Sequence, residues 1–408
     1  MFLPPEAAWP RWALFALAAL AYFGTPAISK PIAPAYDHLP HFANAFLHGH
    51  LGIEAAPGPR VSELIPAVDG SRFYLPYPPL PAILLMPFVA LFGGAVTSAL
   101  ACRIVSVLNV ILLDACLARL PGKLGLAPWG APTRFLLACF FAFGTVTWHN
   151  AHFGGDWHLA HAVTLAAQLL ALHEFLGKNR PLVIGLFIAL VLGTRPTAAL
   201  AYLFLIFPFL RTPRAKDLAR LAALPVAAIL LLAACNYARF GNPFDFGYSR
   251  MLLSGAGKQL METWGQFNPH FVPRNFYWFF LAPFWSRPDH AVPLGFDPNG
   301  LSLFLASPAL LYAFVALQRR KNNRLVRDTG ISIIAALIPL LMYFNTGFVQ
   351  FGHRFSMDYL PPILLLFLIG IGPRPSRPAS VLVLLSIIIQ AWGNLSLPFT
   401  NLPAVMRP

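Results

Sequence analysis

Long apolar runs recur along most of the chain, and the polar positions between them are grouped. The runs cover residues 12–28, 98–118, 135–150, 157–176, 182–194, 196–210, 218–236, 299–317, 330–346, 358–372 and 379–396. A helix needs about 20 apolar residues to span the hydrocarbon core of a bilayer. Inside that core only helices and closed barrels satisfy every backbone amide and carbonyl. Barrel strands alternate apolar and polar residues; these runs do not, so they predict helices. The expected fold is all-α: a polytopic membrane helix bundle of about 10–12 membrane segments, whose extracytoplasmic loops carry short amphipathic helices.

Three stretches break the pattern. Residues 182–194 and 196–210 are short and turn at Thr194-Arg195-Pro196. Neither crosses a full bilayer, which predicts a re-entrant hairpin or helices that end inside a water-filled cavity. Segment 79–94 is also short and proline-rich (Pro78, Pro79, Pro81, Pro87), and is expected to lie along or dip into the membrane. The first run follows Arg11 and is long for a signal peptide, so it reads as an uncleaved first helix.

Charge orients the bundle. The 408 residues include 29 Lys and Arg against 15 Asp and Glu, a formal charge of +14. In a soluble chain this excess would suggest a nucleic-acid partner. Here 57% of residues are hydrophobic and only 11% charged, so basic cytoplasmic loops explain it and no nucleic acid is expected. Put the N-terminus inside and let 79–94 return to the outer side. The inner loops then hold Arg119, Lys123 and Arg134; Lys178 and Arg180; Arg211, Arg214, Lys216 and Arg220; Arg319, Arg320, Lys321, Arg324 and Arg327; and Arg374 and Arg377. A full crossing by 79–94 would turn the dense basic loop 319–327 outward, against the positive-inside rule. The chain thus reads as one membrane domain over 1–408. Its outer segments are the first loop at 29–78, which holds an interfacial helix, a second at about 149–157, and a large one at 237–298. Ten of the fifteen acids fall outside or at the outer rim: Asp37, Glu54, Glu63, Asp69, Asp156, Asp245, Glu262, Asp289, Asp297 and Asp358. The expected location is the cell's inner (cytoplasmic) membrane, multi-pass, with the active site facing outside. Cys102, Cys116, Cys139 and Cys235 all lie in apolar runs and read as free thiols.

Several polar residues could carry chemistry. Asp37 follows the first run and precedes an amphipathic stretch with Leu39, Phe42, Ala43, Phe46 and Leu47 on one face and His41, Asn44 and His48 on the other. It is either an N-cap or a functional acid at the positive end of a helix. Asp156, after Gly154-Gly155, opens a helix and carries the same two readings. His158 and His161 share a helical face, as His149 and His152 could, but the spacing lacks a metal signature and no cysteine joins it. Arg195, Arg239 and Arg354 sit at run ends, where a membrane-buried arginine costs about 2.5–3.5 kcal/mol at a helix centre. Each needs a partner: a carboxylate, as Asp358 could be for Arg354, or a phosphate, which suits the planar guanidinium fork.

Taken in order, these pieces resemble the bacterial C-type (GT-C) integral membrane glycosyltransferase superfamily, which includes protein O-mannosyltransferases and lipid A aminoarabinose transferases. The resemblance covers most of the chain. It rests on Asp37 after the first helix, an amphipathic helix ending in Leu47-His48-Gly49-His50-Leu51-Gly52, then Tyr74-Leu75-Pro76-Tyr77-Pro78-Pro79-Leu80-Pro81 and an apolar segment ending at Leu91-Phe92-Gly93. Arg103, Gly193-Thr194-Arg195-Pro196, Arg239-Phe240-Gly241-Asn242-Pro243 and Gln350-Phe351-Gly352-His353-Arg354-Phe355 follow. The resemblance implies a sugar donor on polyprenyl phosphate, held among membrane lipid. The sugar passes with inversion to a hydroxyl of a glycan, lipid or protein acceptor. By position it implies Asp37 as catalytic base and Asp156 as a second catalytic acid. Arg195, Arg354 and Arg239 are then expected on the donor phosphate, and His38, His158 and Tyr77 in the substrate cavity. No cofactor is required and no metal site is expected. Asp37 is followed by His38 where many members carry a second acid, which leaves a two-acid arrangement and a metal requirement open. No nucleotide-binding glycine loop is present, which suits a lipid-linked donor. Two other readings stand beside this one: a transporter or flippase of lipid-linked substrates, which would often show paired interrupted helices in two halves, and a non-catalytic membrane relative.

Overall fold

A computed structural model of the chain describes residues 9–28, 37–57, 63–67, 70–253, 255–286, 294–295, 297, 299–347 and 350–396. In chain order the helices are α1 (Trp9–Ile28), α2 (Leu39–Leu47), α3 (Leu80–Phe92), α4 (Ser98–Leu124), α5 (Ala131–Phe143), α6 (Thr147–Phe153), α7 (Asp156–Leu176), α8 (Pro181–Leu192), α9 (Leu203–Arg211), α10 (Ala215–Phe240), α11 (Gly255–Trp264), α12 (Val272–Phe276), α13 (Leu303–Ala306), α14 (Tyr312–Arg319), α15 (Arg324–Leu341), α16 (Leu360–Ile371) and α17 (Arg377–Ser396). Two short antiparallel ladders complete it, β1 (Ile65–Pro66) with β2 (Phe73–Tyr74) and β3 (Trp285–Ser286) with β4 (Leu294–Gly295). Among the described residues the protein is all-α apart from these. Among the described residues, five helical stretches are long and apolar enough to cross a membrane: Ser98–Leu124, Asp156–Leu176, Ala215–Phe240, Arg354–Ile371 and Arg377–Leu395.

The elements depart from the apolar runs where proline, glycine or a capping hydroxyl cuts the hydrogen-bond ladder. Run 135–150 becomes α5 and α6, broken at Gly144. Run 299–317 becomes three pieces. Ser302 caps α13 by accepting the Leu305 amide, and Pro308, which has no amide to donate, starts a 3₁₀ turn at Pro308–Leu311 ahead of α14. Pro196 likewise opens a 3₁₀ stretch, Pro196–Tyr202, before α9. α16 is preceded by a 3₁₀ turn at Arg354–Tyr359, so the two together make the long apolar stretch.

Packing puts α7 and α16 at the centre and leaves α10 largely on the outside, with Ile229, Leu230 and Leu231 exposed. Between α4 and α7, Asn109 Nδ2 donates to the Ala162 carbonyl at 3.0 Å. α8 crosses α10 at Gly185, where a Cβ would stand 2.4 Å from the Leu221 carbonyl oxygen. α14 crosses α16 at Gly370, where it would stand 1.9 Å from the Tyr312 carbonyl oxygen. Without a hydrophobic drive between helices in lipid, such close backbone approach is what holds them.

The bundle has two chemically different ends. At one, the basic residues anchor neighbouring helix termini. Arg119 and Lys123 donate to the His173 and Phe175 carbonyls at 3.0 Å, Arg211 pairs with Asp328, and Arg11 and Arg134 share Asp114 at 2.6 and 2.7 Å. At the other end the Ser98 amide donates to Asp37 Oδ1 at 2.6 Å, joining the start of α4 to the residues that follow α1. The segment between them, which includes α2 and α3, therefore leaves and returns at the same end.

Candidate active site

The polar end encloses a cavity of about 340 Å³. Its walls come from broken elements. The turn between α8 and the 3₁₀ stretch brings Arg195, the first turn of α7 brings Trp157, and the end of α15 leads into Tyr343. The 3₁₀ turn before α16 supplies Arg354, and the segments flanking the β1–β2 ladder supply Glu63 and Tyr77. Helices that stop short inside the bundle are what free these side chains, as the turn at Arg195 predicted.

The two cavity arginines have different partners. Arg195 Nε and Nη2 donate to Asp358 Oδ1 and Oδ2 at 2.7 and 2.8 Å, and Asp358 also lies 3.2 Å from His161 Nδ1. Asp358 is thus the partner of Arg195, where the sequence reading offered it to Arg354. Arg354 is 5% exposed and forms no ion pair among the described residues, and its Nε is buried without a hydrogen-bond partner. Its guanidinium lies over Trp157, 5.2 Å from the ring centroid, and over Phe355 at 5.5 Å. Its backbone amide is held by Gln350 Oε1 at 2.7 Å.

Tyr77 is fixed from both sides. Trp157 Nε1 donates to its hydroxyl oxygen at 2.5 Å, and the hydroxyl donates to the Glu63 carboxylate. Burial and the Glu63 carboxylate hold the Tyr77 pKa well above the ordinary phenol value, so the hydroxyl keeps its proton. Tyr343 is pushed the same way by burial and by neighbouring Tyr248.

Asp37 and Asp156 meet at Ser98. Asp156 accepts the His38 amide at 2.8 Å, the Leu39 amide at 3.2 Å and the Ser98 hydroxyl at 2.7 Å. Each acid therefore caps a helix other than the one the sequence suggested: Asp156 the start of α2, Asp37 the start of α4. Asp156 is fully buried and Asp37 half-buried. Neither lines the cavity, although Trp157, next to Asp156, does.

The structure brings Tyr77, Arg195 and Arg354 together and leaves the other expected residues behind the walls. His38 is buried at the N-terminus of α2. His158 is buried against Phe153, ring centroids 5.2 Å apart. Arg239 donates to the Leu75 and Tyr77 carbonyls at 2.7 and 3.4 Å and to Asn236 Oδ1 at 2.7 Å, so its fork grips the Tyr77 segment. Glu63, Trp157 and Tyr343 were not singled out from the sequence. A signal existed for Glu63: the acid precedes Leu64 and Ile65, both fully buried, which draw it inward. Among the described residues, no three His, Cys, Asp or Glu side chains converge as a metal would need.

The fold, a membrane helix bundle with a polar cavity at one end, is similar to that of known membrane proteins. Two solved structures carry the likeness. ArnT from Cupriavidus metallidurans, solved bound to undecaprenyl phosphate, matches 98% of this chain and 67% of its own, at a TM-score of 0.55 and 16% identity. The Archaeoglobus fulgidus oligosaccharyltransferase in its apo form matches 96% of this chain and 56% of its own, at 0.50 and 13%. At these identities the likeness is one of fold. No protein-family model and no curated protein sequence matches the chain.

Proposed function

We propose that the protein is a membrane glycosyltransferase that moves a sugar from a polyprenyl-phosphate donor to an acceptor hydroxyl on the extracytoplasmic face of the cytoplasmic membrane. The observation that carries this reading is Arg354, a buried guanidinium that faces a cavity and forms no ion pair among the described residues. A lone buried cation is costly, and an entering anion relieves that cost. The planar fork suits a phosphate. Arg195 offers the same anion its remaining Nη1, while Asp358 holds the rest of the guanidinium in place. Phe246, Met251, Leu253 and Phe344 give the cavity apolar walls that suit a prenyl chain. The undecaprenyl phosphate in the ArnT structure supports this class of donor.

The chemistry is a displacement at the anomeric carbon. The acceptor oxygen forms the new bond as the bond to the phosphate oxygen breaks, and inversion places the base opposite the leaving group. Asp37 is the proposed base by its place behind the first helix and beside Asp156 and Ser98, whose amide holds its Oδ1; it stands behind the cavity wall, so the acceptor would have to reach it there. Asp156 braces it through Ser98. The leaving polyprenyl phosphate gathers negative charge, which Arg354 and Arg195 stabilise. Binding of undecaprenyl phosphate to the purified protein tests the reading. Hydrogen bonds to charged groups are worth about 1.5–3 kcal/mol, so Arg354→Ala should weaken binding about ten- to a hundredfold. Arg354→Lys, which keeps the charge and loses the fork, should fall between. Unaltered binding by Arg354→Ala would remove the assignment.

A further inference from the structure

At the basic end of the bundle one acid serves two cations. Asp114, buried on α4, accepts Arg11 Nε of α1 on Oδ2 at 2.6 Å and Arg134 Nη2 of α5 on Oδ1 at 2.7 Å. Arg134 Nη2 also donates to the Asp114 carbonyl at 3.0 Å. One carboxylate against two guanidiniums leaves a unit of positive charge. Both Nη groups of Arg11, and Nη1 of Arg134, make no hydrogen bond among the described residues. Arg11 is the more open of the two, its side chain 31% exposed against 16%. Trp129 Nε1, just ahead of α5, donates to the Gly372 carbonyl at 3.3 Å, which brings the exposed Arg374 and Arg377 to the same end.

The level of the cluster in the membrane follows from the sequence. Arg11 and Arg134 each stand immediately before an apolar run, 12–28 and 135–150. They mark the depth at which hydrocarbon ends and lipid phosphates begin. Arg11 continues the buried stripe of α1, Leu14, Ala18 and Tyr22, which turns it toward Asp114. The opposite face of α1 presents Trp12 and Leu20, 67% and 71% exposed, where lipid lies. An anion that meets the spare charge here therefore arrives with hydrocarbon beside it. We infer that Arg11 and Arg134, held on Asp114, bind the phosphate of an anionic phospholipid at the basic end of the bundle. Basic pockets between membrane helices take such head groups, and the guanidinium fork suits their phosphate. A zwitterionic head group brings its own cation and gains less from the spare charge. The shared acid holds both arginines in place before any lipid arrives. The lipid would tie α1, α4 and α5 together, and the inference does not depend on the transferase reading.

Full-length protein in detergent is titrated with phosphatidylglycerol and with phosphatidylcholine of the same acyl chains, and bound lipid is counted by native mass spectrometry. The wild type should hold phosphatidylglycerol about ten- to a hundredfold more tightly than phosphatidylcholine. Arg11→Gln keeps the Arg134–Asp114 pair but removes the spare charge, and should lose about five- to tenfold of that preference. Arg11→Lys keeps the charge and gives up the fork; it should lose part of the preference and decides the matter if Arg11→Gln does not fold. Arg320→Gln and Arg354→Ala each remove a charge elsewhere and should retain the preference, and excess inorganic phosphate should not displace the lipid. A wild type without the preference overturns the inference. So does a preference that survives Arg11→Gln, or survives Arg11→Lys where Arg11→Gln is unfolded. A loss as large in Arg320→Gln would make the attraction a diffuse one of the whole basic end, and a loss that follows Arg354 would put the lipid in the cavity; either overturns the inference. Displacement by inorganic phosphate does so too, since the site would then be one for a free anion.

Discussion

Arg195 and Arg354 look alike in the sequence, each an arginine next to an apolar run. In the folded protein they are opposites. Arg195 has a buried counter-charge at hydrogen-bond distance, whereas Arg354 forms no ion pair among the described residues. Removing one member of a buried pair leaves the other uncompensated, at a cost of about 3–5 kcal/mol. Arg195→Ala should therefore lower the thermal unfolding midpoint markedly in detergent, whereas Arg354→Ala, which deletes a buried charge that forms no ion pair among the described residues, should leave it unchanged or raise it. Equal destabilisation by the two would mean that Arg354 has a counter-charge of its own. Residue identity was legible for these arginines and for Tyr77, because polar residues among apolar runs are conspicuous. Pairing was not: Arg195 and Asp358 are separated by more than 160 positions, and only the fold brings them together. The same limit explains why Asp37 and Asp156 could be recognised as caps while the helices they cap were misassigned.

At the scale of elements, the sequence period and the proline positions located nearly every helix. What they could not locate were the breaks inside runs 135–150 and 299–317, because hydrophobicity is continuous across Gly144 and Pro308 and only the hydrogen-bond ladder is interrupted there. Nor could they show which glycines sit at crossings. Gly185 and Gly370 each face a neighbouring helix's carbonyl with no room for a methyl group. Gly185→Ala and Gly370→Ala should each destabilise the bundle by about 1–3 kcal/mol, the usual cost of overpacking. A thermal melt checks this, with Gly122→Ala, where nothing lies within 4 Å, as the control. A wild-type melting point in the Gly185 and Gly370 variants would mean the helices can part at no cost. Arg239 belongs to this scale too, since it acts on a segment and not on a ligand. Arg239→Met should leave the fold intact but release the Leu75 and Tyr77 carbonyls, weakening donor binding several-fold without touching the cavity. An unaltered affinity would mean that the Tyr77 segment holds its position unaided.

For the molecule as a whole, charge was the clearest guide. The basic loops and the cavity occupy opposite ends of the same helices, the asymmetry that the positive-inside rule attaches to a cytoplasmic and an outer face. Single cysteines at Lys258 and Lys321, in a background lacking the four natural ones, test the direction with an impermeant thiol reagent on intact cells. Position 258 should be labelled and 321 spared; the reverse would turn the site toward the cytoplasm. The central claim is that the protein breaks the sugar–phosphate bond of a lipid-linked donor instead of merely binding or moving that lipid. It is tested most directly by following free undecaprenyl phosphate released from glycosyl diesters when wild type and Asp37→Asn are supplied with membrane acceptors. Asn keeps the oxygen that receives the Ser98 amide, so the fold and donor binding should persist, while loss of the base lowers the rate by about 10²–10⁴-fold. The account predicts release by the wild type and almost none by Asp37→Asn at equal donor binding. Release by Asp37→Asn at the wild-type rate, or a wild type that binds these diesters and leaves every one intact, would contradict it.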